Sequence, residues 1–240
     1  MLGPMFVVAA FLAVQVFANK IISSSSLGKI KWVSLAGGIA VSYIFVYILP
    51  SLHHEQEEFG DTAFELAMES ELYLFGLVGI VVFYTLTKAA ERDRYKRGAS
   101  VEDRFFFVQT SLFFMYNMLI SYIMFAADQS LEQLIFYSVA VGLHFMTVAH
   151  DLFRENETKY RKYGRFMLAG GIFIGYLIAT ITPYSAVTLS IVFSFVSGAI
   201  MFNVIKHELP SEESAHLPTF VSAAFVYSTV TVLLKLFLDW

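Results

Sequence analysis

Two side chains stand out for the chemistry they could do in an otherwise apolar chain, His144 and Asn117. His144 sits in Gly142-Leu143-His144-Phe145-Met146-Thr147-Val148-Ala149-His150-Asp151 and is the only histidine, acid or base inside the apolar runs expected to cross a membrane. An ionisable group in hydrocarbon is costly, so it faces a bundle interior or an aqueous cavity. Neutral imidazole is also the commonest protein metal ligand. Two readings follow for His144: one interhelical hydrogen bond holding helices together, or a ligand on a substrate path. Asn117 carries the same pair of readings, with Ser121 one turn away on the same helix face. Asp151 shares a face with His144 two turns further on, whereas His150 points elsewhere.

The elements that must position these groups are membrane helices. Hydrophobic residues make up 57% of the chain, charged residues 15%, and Phe alone numbers 25. Mean hydropathy is +0.64. A soluble domain of this size could not hide so much apolar surface. Net charge of −4 carries no nucleic-acid signal. With no Cys, disulfides, thiolate zinc sites and cysteine nucleophiles are excluded. Apolar runs long enough to cross a bilayer recur, and the expected fold is an all-α, polytopic, single-domain bundle of eight transmembrane helices. The spans fall at 2–18, 32–52, 72–87, 105–127, 133–149, 166–182, 186–205 and 217–234. The first run lacks the positively charged leader of a signal peptide and is read as a span. In the second, Ser34, Gly38 and Ser42 repeat every four residues, the small-residue stripe that lets helices approach closely.

Charge sets the sidedness. With eight spans, the loops on one face hold three, six, five and one Lys or Arg, while the other face holds only Lys235. Short-loop Lys and Arg stay cytoplasmic, so both termini are expected outside. Counting at 1.5 Å per residue, Asn117 lies roughly 15 Å below the outer end of span four and His144 roughly 17 Å below that of span five. Both reach the bilayer midplane, where transporters tend to place substrate sites. On the outer side, the segment 53–71 holds seven acids and no Lys or Arg. Its His53, His54, Glu55, Glu57 and Glu58 could collect a cation at the entrance, although such a run is more often a solvated face.

Eight spans, both termini outside and a short outer turn between spans four and five resemble the ZIP (Zrt-, Irt-like) family of divalent-metal transporters. Span two, from Ala36-Gly37-Gly38 to Tyr47-Ile48-Leu49-Pro50, is similar to the family's glycine-rich helix ending in a Leu-Leu-Pro-Glu-like segment. Span seven, from Ser197-Gly198-Ala199 to Glu208-Leu209-Pro210-Ser211-Glu212, resembles its Ala-Gly…Leu-Pro-Glu helix. The resemblance implies a metal site between spans four and five. There the family's His-Asn-x-x-Asp/Glu-Gly stands as Tyr116-Asn117-Met118-Leu119-Ile120-Ser121, and its His-x-x-Pro-Glu-Gly as His144-Phe145-Met146-Thr147-Val148-Ala149. One Asn and one His survive, and both acidic ligands are replaced by apolar residues.

The resemblance therefore implies a degenerate metal site of His144 and Asn117, with Ser121, Tyr116 or Met146 as helpers and Asp151 near the exit of the path. Zinc is the implied cargo rather than a resident cofactor. The implied setting is the bilayer of the plasma (inner) membrane, and a homodimer is a possible assembly. Two non-enzymatic functions stay open, a divergent permease for a divalent cation and a transport-inactive sensor, regulator or assembly subunit. A membrane-embedded metal hydrolase is a weaker third, resting on His150, Asp151, His207 and Glu208 near the cytoplasmic surface, with Asn203 one turn from His207.

Overall fold

The computed structural model describes residues 2–21, 26–60, 70–97, 102–127, 130–182, 185–210 and 215–237. Where no water is available, every amide must be satisfied within its own segment, and an apolar chain answers with helices. Among the described residues there is no strand. The helices are α1 Leu2–Ile21, α2 Ser26–Tyr43, α3 Leu49–Gly60, α4 Glu71–Arg97, α5 Glu102–Ala126, α6 Leu131–Glu155, the short α7 Glu157–Lys159, α8 Arg165–Ile181, α9 Ala186–Asn203 and α10 Leu217–Phe237. Among the described residues, five-residue π turns interrupt them at Ile44–Ile48, Tyr160–Gly164 and Val204–Glu208. Among the described residues seven helical stretches are long and apolar enough to cross a membrane, and α1 contributes a shorter apolar segment, Gly3–Ala18.

The expected runs all fall on helices, but the ends differ. The second run does not stop near residue 52. Helix continues from Ile30 through the π turn to Phe59, so His53 to Glu58 lie on helix α3 instead of a loop. The rest of the acidic segment, 61–69, lies outside the described residues. The α6 start is fixed by a capping box, in which Gln133 N donates to Ser130 Oγ at 3.2 Å and Ser130 N donates to Gln133 Oε1 at 2.9 Å.

Helix pairing follows a reciprocal plan. α5 packs on α8 and α6 on α1, while α4 packs on α9 and α10 on α2. Exchanging α1, α2, α4 and α5 for α8, α9, α10 and α6 leaves these pairings unchanged. A trace survives in sequence. Ile44-Phe45-Val46-Tyr47-Ile48-Leu49-Pro50-Ser51 and Val204-Ile205-Lys206-His207-Glu208-Leu209-Pro210-Ser211 share the Leu-Pro-Ser ending and both open with a π turn. Close approach needs glycine where α4 meets α9, since a Cβ on Gly198 would collide with the carbonyl oxygen of Gly76.

Candidate substrate site in the bundle core

Proline starts the site. Pro210 has no N–H, so the carbonyl of Lys206 loses the donor an α-helix would supply. The end of α9 widens into the π turn, where Leu209 N donates to Val204 O at 3.1 Å. One extra residue in a turn rotates everything after it by about 100° relative to an unbroken α-helix. α2 makes room at Gly37, where a Cβ would strike the carbonyl oxygen of Glu208. Glu208 is thereby turned into the bundle and is 1% exposed.

This corrects the sequence reading on one point. Glu208 does not sit at the helix mouth with Asp151 and His207. Its Oε1 makes a short hydrogen bond with Nδ1 of His144, itself 6% exposed. His144 is therefore not the lone ionisable group of the core, since the end of α9 brings a glutamate against it. Tyr116 closes one side, its ring edge-on to His144 at 5.3 Å between centroids.

Among the described residues several buried polar atoms have no hydrogen-bond partner, including His144 Nε2 and Glu208 Oε2 of this pair, Tyr116 OH, both amide atoms of Asn117 and Nδ2 of Asn203. Buried polar groups in native proteins are nearly always satisfied, so such a set is chemically unfinished. The imidazole also has an instructive geometry. When Nδ1–H donates to a carboxylate, the ring is held in one tautomer and Nε2 is left as a lone-pair donor, the arrangement behind most metal-bound histidines. His144 and Asn117 are both buried in the core without a hydrogen bond to each other. Ser121 is committed elsewhere, its hydroxyl donating to Ile172 O of α8 at 2.8 Å.

Asp151 lies beyond this cluster, two turns along α6. Its carboxylate is 3.8 Å from His207 Nδ1, and the two residues line an open cleft of about 420 Å³ with Arg154 and Glu155. Beside it, Lys206 Nζ reaches Glu91 at 2.6 Å and Lys88 Nζ reaches the same carboxylate at 2.8 Å. Burial alone would raise the Glu91 carboxyl, yet the two ammonium groups hold it below the usual range. These bonds fasten the C-terminal part of α4 to the π turn that carries Glu208.

The opposite end of the bundle holds a cavity of about 570 Å³ between α2, α3, α5, α6 and α9. Ile48, Ile120, Val141 and Ile200 line it. The last three lie within about one helical turn of Tyr116, His144 and Asn203, so an apolar layer separates cavity and polar cluster. The expected entrance patch does not form one site on α3. His53 pairs with Glu57 at 3.5 Å and His54 with Glu58 at 3.3 Å, His53 Nδ1 also meets Tyr73 OH at 2.9 Å, and Glu55 takes the hydroxyl of Ser190. Among the described residues no group of three or more His and acidic side chains could hold a metal ion by itself.

Sequence reasoning missed Glu208 as a core group, and it passed over Gln15, fully buried with both amide atoms unpaired. The signal for Glu208 was present in the repeated Leu-Pro-Ser, since a proline just past a helix end frees a carbonyl and permits a π turn. No protein-family model, curated protein or solved structure matches the chain.

Proposed function

We propose that this chain is a ZIP-like membrane protein that moves a divalent cation, zinc in the first instance, along a path through the His144–Glu208 cluster between α5, α6 and the end of α9. In this reading the chain crosses the plasma (inner) membrane eight times with both termini outside. The observation that carries it is the orientation of His144, with Nδ1 bound to a buried carboxylate and Nε2 left unpaired. Imidazole nitrogen with carboxylate and amide oxygen suits zinc and its neighbours. Glu208 supports the reading twice, by orienting the imidazole and by bringing negative charge where spans four and five have none. Asp151 and His207 would then receive the ion on the cytoplasmic side.

Zinc and cadmium uptake into liposomes, read beside metal binding by calorimetry, tests this. Parent protein should take up metal, and His144→Ala and Glu208→Gln should lose most of the uptake. No uptake by a correctly folded parent that still binds zinc with a His144 dependence would favour the second reading, a transport-inactive sensor or regulator. The apolar layer between cavity and cluster is what speaks for that alternative. Neither uptake nor His144-dependent binding would sink both. Tags at the termini should be reachable from outside intact cells and tags within 88–104 should not.

A further inference from the structure

The 570 Å³ cavity is a poor funnel for a hydrated cation. Its walls are mostly aliphatic and aromatic, and an ion shedding water there would find little to replace its hydration. One wall also carries a cation of its own. Lys235, in the last turn of α10, does not extend towards water as a lysine at a helix end usually can. Its ammonium donates to Val46 O at 2.9 Å and lies 6.0 Å from the Tyr47 ring centroid. Val46 O is the carbonyl that Pro50 leaves without its α-helical donor. Among the described residues Lys235 has no acidic partner within ion-pair distance.

Lys235 and three tyrosine hydroxyls supply donors to the lining, beside His54 and the carboxylate of Glu55. Three tyrosines line the cavity in mutual ring contact, Tyr43 stacked on Tyr47 at 5.1 Å and Tyr47 tilted against Tyr137 at 3.8 Å between centroids. Two of the available acceptors are already used, since Gln133 Oε1 takes Ser130 N and Glu55 Oε2 takes the Ser190 hydroxyl. A half-buried ammonium, phenol hydroxyls and apolar walls together match a molecule with an acidic head and a hydrocarbon body. The volume lies within the ordinary range for small-molecule sites.

We propose that this cavity binds a small carboxylic acid with an apolar body, its carboxylate on Lys235 and its body against Tyr47, Tyr137 and Ile123. The inference does not depend on metal transport through the core.

Calorimetry on the full-length protein in nanodiscs of uncharged phosphatidylcholine tests it. 4-Phenylbutyrate, 4-phenylbutyramide and 4-phenylbutylamine share one apolar body and differ only in the head. The carboxylate should bind saturably, the amide more weakly and the amine not at all. Lys235→Met should weaken the carboxylate by roughly tenfold or more, the scale of one lost charge-assisted hydrogen bond, while Lys235→Arg should retain it. Ile123→Trp should fill the cavity and abolish binding at unchanged zinc affinity. Amine binding as tight as the carboxylate, no saturable binding by any probe, or a folded Lys235→Met of unchanged affinity would overturn the proposal. Should Lys235→Met fail to fold, the order of affinity among the three heads on the unaltered protein still supports or overturns it.

Discussion

The two π turns that precede Leu-Pro-Ser make a controlled comparison within one molecule. At Ile44–Ile48 the last residue is Ile48, 1% exposed, and the neighbourhood is an open apolar cavity. At Val204–Glu208 the corresponding residue is Glu208, also 1% exposed, and the neighbourhood is a buried ionisable pair with the ring of Tyr116 against it. Backbone, proline and burial are alike, so the difference lies in side chains. Even the freed carbonyl has a different setting, since Val46 O draws the ammonium of Lys235 from α10 whereas Lys206 sends its own ammonium to Glu91 on α4. The backbone device turns a residue inward, and the residue turned inward decides whether the space becomes hydrophobic or ionic.

Making the turns alike should have the largest effect. Glu208→Ile copies the first turn into the second and leaves His144 Nδ1 without its carboxylate. Removing one partner of a buried hydrogen bond leaves the other unsatisfied and costs about 1–3 kcal/mol, so unfolding in detergent should shift by that order and His144-dependent zinc binding should vanish. Unchanged stability would mean that the pair contributes nothing to the core, and the comparison would fail at its centre. Next comes Val148→Glu, which places a carboxylate one turn from His144 on the same helix face. Without a cation it should destabilise by about 2.5–3.5 kcal/mol, the cost of an acid at membrane depth. With zinc present part of that loss should be recovered and affinity should rise. Ile120→Asp, at the apolar layer, should behave likewise. Destabilisation that zinc does not relieve would argue that no ion reaches this depth.

How much of this was legible beforehand depended on whether a feature obeys helix periodicity. The long apolar runs, the depth of His144 and Asn117, and the small-residue stripe of α2 all follow from a regular rise and turn per residue. Glu208 does not, because the π turn breaks the count immediately before it, and a regular helix places that residue at the mouth. The setting of His53 to Glu58 was not legible for a related reason, since they lie on helix α3. Treated as a loop, His53 to Glu58 could converge, but as helix their positions diverge into i, i+4 pairs, and Glu55 is drawn off to Ser190. Ser121 shares a face with Asn117 in the one-dimensional pattern, and only the packing of α8 reveals that its hydroxyl is already used.

A smaller effect is expected at Gly37. α2 approaches so closely that a Cβ there would meet the Glu208 carbonyl oxygen. Gly37→Val should therefore cost about 1–3 kcal/mol, the usual range for overpacking. It should also push the π turn away and weaken zinc binding through His144. An equal loss of stability with intact binding would show that Glu208 reaches His144 without support from α2.

The smallest expected effect is electrostatic and separates the turns by pH. Lys206 ties the second turn to Glu91, which also holds Lys88, while the first turn has no equivalent ion pair at Val46. The Glu91 carboxyl sits below its ordinary value of 4.5 because both ammonium groups together outweigh the opposing effect of burial. A carboxyl lowered in the folded state stabilises the fold above its unfolded value, and that contribution is lost as pH falls through the folded value. Stability should thus be constant near neutrality and decline below about pH 4.5. Glu91→Gln should remove only this part of the decline. Glu91 is 40% exposed at its side chain, so water screens the pair and the loss at neutral pH should stay under about 1 kcal/mol. Melting curves of the parent and Glu91→Gln between pH 7 and pH 3.5 should start slightly apart and converge on acidification. Curves that remain parallel would detach the Glu91–Lys206 pair from the stability of the turn, leaving the His144–Glu208 bond as its main side-chain anchor.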